Sequence, residues 1–107
     1  YAFSKKTPQK MKDKGFMDMM KSSAETIYHG FSACDKFSVI DSLSKIALPA
    51  MIIGGKDDLL TPPTFSEYLH RKIKGAELVI VEDAGHMVMI EQPDVVNKAI
   101  EGFVLKR

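Results

Sequence analysis

Two short apolar runs constrain this chain more than anything else in it. Ala50-Met51-Ile52-Ile53-Gly54 and Leu78-Val79-Ile80-Val81 are both unalternating. That pattern marks strands covered on both faces, as in parallel sheets. Leu48-Pro49 sets the start of the first, because the residue before a proline is driven out of the helical region. Between the runs, Thr61-Pro62-Pro63-Thr64 starts a helix that continues through Phe65, Tyr68, Leu69 and Ile73 and is ended by Gly75. Strand, helix and strand fit within about 33 residues, which is one βαβ unit, parallel and right-handed. Pro93-Asp94 opens a closing helix with the stripe Val96, Ala99, Ile100 and Phe103, and Lys106-Arg107 stand at its negative end. The expected class is α/β.

Upstream of Leu48 the pattern is helical. Phe16, Met19 and Met20, then Ala24, Ile27, Tyr28, Phe31 and Cys34, recur three and four residues apart. Ser22-Ser23 divides this stretch, and one of the two serines caps the second helix. The lysine-rich start, Lys5 to Lys14, reads as a solvated helix start rather than a polybasic binding site, with Thr7 as cap and Pro8 at the first helical position. Asp35 to Ala47 reads as a loop and a short helix. The dense methionines Met11, Met17, Met19 and Met20 suit ordinary helix packing, with the lining of an apolar substrate site as the functional alternative. Residues 1–47 thus form a helical segment and residues 48–107 a second unit.

Fifteen basic residues nearly balance fourteen acidic ones in 107 residues, which argues against a nucleic-acid footprint. The single cysteine, Cys34, rules out an internal disulfide framework and suits a reducing, cytoplasmic setting. It is expected to be a small buried apolar residue. No apolar run nears the roughly 20 residues that span a bilayer. Three scattered histidines offer no metal site and no cofactor is implied.

The chemistry lies in the turns after the two strands. Gly54-Gly55-Lys56-Asp57-Asp58-Leu59-Leu60-Thr61-Pro62-Pro63 brings a carboxylate, and Asp83-Ala84-Gly85-His86-Met87 an imidazole. Ligands of open α/β sheets sit outside the carboxyl ends of the strands. Adjacent parallel strands are roughly 4.8 Å apart, so a carboxylate from one turn can reach a histidine from the next. A carboxylate that orients a histidine is two thirds of a nucleophilic triad. No serine or cysteine here stands in a strand–turn–helix context that would make it the nucleophile. Gly30-Phe31-Ser32-Ala33-Cys34 lacks the final glycine of a nucleophile elbow and sits inside a helical pattern. His70 and His29 are expected on solvated or packing faces.

These residues resemble the C-terminal part of the α/β-hydrolase family. The match runs from Leu48-Pro49 through Gly55-Lys56-Asp57-Asp58-Leu59-Leu60-Thr61-Pro62 and Ala84-Gly85-His86-Met87 to Glu91-Gln92-Pro93. The family places its acid three residues after the glycine and four before the proline, which selects Asp58 over Asp57. The 28 residues between Asp58 and His86 also look like the family's interval. The resemblance implies a partial α/β-hydrolase fold: short parallel β-strands in a βαβ unit with flanking helices, preceded by cap-like helices. The nucleophile elbow and the oxyanion segment are absent, and a complete domain needs roughly 200–250 residues.

The resemblance implies a C-terminal piece of an esterase- or lactonase-like enzyme for a small apolar, ester-like substrate, inactive alone. His86 is the expected base and Asp58 its partner, while Leu59, Leu60, Met87 and Val88 flank them as a candidate substrate lining. Glu91 has a structural or a catalytic role. A serine, aspartate or cysteine nucleophile would come from outside the chain. The rival reading is a non-catalytic ligand-binding or scaffold module of the same fold. The expected partner of the partial sheet is a missing N-terminal half or a second copy, with dimers formed by exchange of the N-terminal helices.

Overall fold

The computed structural model describes residues 2–107. Strand β1 (Met51–Gly55) pairs in parallel with β2 (Glu77–Val81), Met51 opposite Glu77 and Gly55 opposite Val81. Side chains alternate across a strand, so each face of the pair collects its own core. Ile53, Val79 and Val81 gather Ala84, Val88 and Val96 on one face. Ile52 meets Leu43, Ile73, Ala76, Tyr68 and Leu69 on the other. Helix α3 (Pro63–Lys72) packs half-buried Tyr68 and Leu69 against the second cluster, and the C-terminal helix gives Val96 to the first. Each face carries a cluster, but the full burial that the unalternating runs predict is not reached, since residues 51–54 and 77–80 remain half-buried in a sheet of two strands.

Upstream lie α1 (Gln9–Met19), α2 (Ala24–Lys36) and a 3-10 helix (Ile40–Lys45) whose Leu43 reaches the core. Ser23 caps α2, its hydroxyl accepting from the Thr26 amide. Thr7 does not cap α1. Pro8 occupies the cap position without a side-chain bond, and the Thr7 hydroxyl is drawn away to Glu91. Neither α1 nor α2 buries a residue, so Cys34 is exposed rather than packed. Helical periodicity gave these segments an apolar stripe, but no described element lies against it.

After β2 the chain turns through Asp83 to Met87 into a short helix that the sequence pattern does not announce, α4 (Val88–Glu91), and then α5 (Pro93–Leu105). Lys106 leaves the helix end to bond Glu77 at 3.0 Å, and Arg107 stacks over Phe103.

Candidate active site

Register builds the site. Gly55 and Val81 are paired, so the turns that follow them leave the sheet side by side. The pairing continues past the strands. The Lys56 amide donates to the Val81 carbonyl at 2.9 Å and the Asp57 amide to the Ala84 carbonyl at 2.8 Å. The approach is so close that a Cβ at residue 55 would stand 2.1 Å from the Gly85 carbonyl oxygen and 2.5 Å from that of Ala84. Only glycine lets the second turn cross there.

Two consecutive aspartates leave the first turn in different directions. Asp57 accepts a 2.6 Å bond from the Ser4 hydroxyl. Asp58 is buried, 7% exposed, and its Oδ2 lies 3.0 Å from His86 Nδ1. The carboxylate only accepts, so Nδ1 carries the proton and donates it, which leaves Nε2 as the nitrogen free to accept one. The His86 side chain is 40% exposed.

The rest of the Asp58 carboxylate is saturated. Its Oδ1 accepts the amides of Leu60 and Thr61, each at 2.9 Å. Its Oδ2 also accepts the Thr61 hydroxyl at 3.0 Å, and that hydroxyl stands 3.2 Å from His86 Nδ1. Burial is the largest influence on Asp58 and by itself raises its pKa. The Thr61 amide, His86, the Thr61 hydroxyl and the Leu60 amide together outweigh it, holding the carboxyl below its ordinary 3.8. Asp58 is therefore an anion near neutral pH, fit to orient an imidazole and to stabilise it when protonated.

The other predicted residues are scattered around this pair. Leu59 and Leu60 are exposed beside it, and Leu59 borders an open cleft of about 420 Å³ with Phe3, Ser4, Lys6 and Asp57. Met87 is half-buried, whereas Val88 lies within the core cluster of Val81, Ala84 and Val96. A larger groove, about 510 Å³, runs between the 3-10 helix and α3 and contains neither Asp58 nor His86. It is an apolar gap between elements, and the chemistry favours the turn side. His70 is exposed, and exposed His29 stands 3.5 Å from Glu25. Among the described residues no cluster of three acidic, histidine or cysteine side chains could hold a metal, and no helix is long and apolar enough to cross a membrane.

Sequence reasoning missed Thr61 and the N-terminal segment. Thr61 was readable, because an aspartate followed two and three residues later by its own amide partners is a common local turn. Ser4 and Thr7 were not readable, since they bond residues 53 to 87 positions away.

The family described as TAP-like protein matches residues 21–107, and the chain belongs to the α/β hydrolases. A pimeloyl-acyl-carrier-protein methyl ester esterase of Neisseria meningitidis is 30% identical over 80 residues, covering 75% of this chain and 31% of its own length. The solved structure of an N-acyl homoserine lactone degrading enzyme is 35% identical with a TM-score of 0.59, over 62% of this chain and 26% of that one. An esterase from Exiguobacterium antarcticum shares the fold across 96% of this chain and 38% of its own, with a TM-score of 0.86 at 23% identity. The chain spans about a third of the length of the curated relatives it matches.

Proposed function

We propose that this chain supplies the acid and the base of a serine-type hydrolase that cleaves ester or lactone bonds in small, largely apolar molecules. The 3.0 Å bond between buried Asp58 and half-exposed His86, at the ends of two paired parallel strands, carries this reading. His86 takes the proton of a nucleophile through Nε2 and returns it to the leaving group. Asp58 fixes the ring through Nδ1 and stabilises its cation. The esterase and lactone-degrading relatives favour ester-like substrates. Leu59, Leu60 and Met87 are the proposed apolar lining, of which exposed Leu59 and Leu60 are the parts most open to substrate, whereas Val88, expected from the sequence to join them, is taken up by the core cluster.

The nucleophile and the oxyanion donors belong, in this proposal, to residues outside these 107. Residues 1–47 act as a cap-like helical segment and residues 48–107 as the C-terminal part of the core. The exposed apolar side chains of α1 and α2 favour burial against the remainder of the hydrolase or a second copy of the chain. Hydrolysis of a short-chain aryl ester tests the reading. The full-length protein turns over, His86→Ala loses about a thousandfold in kcat, and the 107-residue chain alone is inactive. Equal turnover by the full-length protein and its His86→Ala variant rejects the assignment.

A further inference from the structure

Asp58 fixes the rotation of the His86 ring, but it does not fix the backbone from which the ring hangs. That backbone is held by a different carboxylate. Glu91, the last residue of α4, is half-buried and accepts three hydrogen bonds on two separate pieces of chain. Its Oε2 takes the Gly85 amide at 2.9 Å. Its Oε1 takes the Ser4 amide at 2.7 Å and the Thr7 hydroxyl at 2.5 Å. Gly85 immediately precedes His86. On the other side of the histidine, the Met87 amide donates to the Ala2 carbonyl at 3.1 Å.

Both backbone amides that flank His86 are therefore engaged. One is held by Glu91, the other by the segment that Glu91 itself holds. The packing behind them is backbone on backbone. A Cβ at residue 85 would meet the Ser4 nitrogen at 2.8 Å and the Phe3 carbonyl carbon at 2.9 Å, neither able to swing away like a side-chain tip. Ser4 is 1% exposed and Thr7 is buried, so the segment is seated and not draped.

We propose that Glu91 is a positioning residue for His86: by spanning Gly85 and the Ser4–Thr7 segment, its carboxylate holds the histidine turn in register with Asp58. The inference rests on His86 being the base. Glu91 acts through the Gly85 amide, not through the imidazole. All three of its partners are donors, so the position requires an acceptor at both oxygens. A glutamine there would keep one side and point its NH2 at a donor on the other. The clamp also ties the placement of the base to the stretch that leads into α1, so that a shift of those helices is felt at the histidine.

Glu91→Gln in the full-length protein tests this, with p-nitrophenyl acetate as the probe. We expect kcat to fall about tenfold to a hundredfold, with KM within about twofold. Amide exchange should quicken at residues 85–87 and stay unchanged in β1 and α3. Unchanged kcat overturns the proposal. So does a loss of kcat accompanied by faster exchange throughout the core, because that is a general loss of stability. If Glu91→Gln does not fold, Glu91→Asp serves the same measurement, its shorter carboxylate reaching one partner set but not both. His86→Ala separates the two readings. If it stays active, the base assignment has failed. If it is inactive while Glu91→Gln is fully active, only the positioning role has failed.

Discussion

Helices α2 and α3 are patterned alike and end differently. Both repeat apolar residues three and four apart. Helix α3 lays Tyr68 and Leu69 against Leu43, Ile73 and Ala76 beneath the strand pair. Neither helix fully buries a residue, but α2 packs no side chain on either core cluster and leaves Tyr28 68% and Phe31 70% exposed. The reason is connectivity. Helix α3 joins two strands that pair, so the sheet it covers is fixed by its own ends. Helix α2 is followed by the 3-10 helix, whose Leu43 alone reaches the core. Periodicity therefore specifies that a helix has an apolar face; topology decides whether the chain itself provides the surface for that face.

The sharpest way to test the tighter region is at its tightest point. Gly55→Ala sets a methyl 2.1 Å from a carbonyl oxygen of the crossing turn. Backbone cannot give as a side chain can, so the cost lies at the upper end for overpacking, about 3 kcal/mol or more. Urea unfolding should show the midpoint falling. A midpoint within error of the parent would mean that the two turns do not cross where the structure puts them.

A smaller effect concerns pH. Asp58 titrates below its ordinary 3.8 in the folded state, so the unfolded chain binds its proton first as the medium is acidified. Its stabilisation is complete above about pH 4 to 5 and disappears as the pH falls through the lower, folded value. Asp58→Asn removes that contribution and leaves neighbouring donors poorly matched, costing about 1–3 kcal/mol at pH 7. The difference between parent and variant should shrink steadily as the pH falls from about 5 through the lowered folded pKa of Asp58. A constant difference over that range would show that the carboxylate's charge contributes nothing to the fold.

How much of this was legible in the residues follows from what each feature depends on. The two strands, the helix between them and the closing helix at Pro93 are local patterns, and the structure reproduces them. Asp58 and His86 were legible as a pair because the strand ends that carry them are adjacent by register. Helix α4 was not, since four residues after a histidine turn carry too little periodicity to read. Thr7 was misread as a cap because its local context fits one; a half-buried carboxylate 84 residues away, that of Glu91, competes for the same hydroxyl and wins. Cys34 was misread because its spacing fits a buried stripe, while burial depends on a neighbour that α2 lacks among the described residues. Each error has the same form: local sequence names the group, and long-range geometry names its partner.

The smallest predicted effect bears most directly on the two helices. Phe31→Ser removes a large apolar ring from α2, and Leu69→Ala removes a comparable volume from α3. Phe31 loses little on truncation if it stands in water, so the change should be within about 0.5 kcal/mol. Leu69 packs against Ile73 and Ala76 in a half-buried site, so its cost should be about 1–2 kcal/mol, below the range for a sealed core position. Paired chemical melts read the ratio directly. A large ratio keeps α2 and α3 as opposites. A ratio near one would mean that the face of α2 is covered in solution, and light scattering on the same samples then distinguishes a second copy of the chain from further residues of its own.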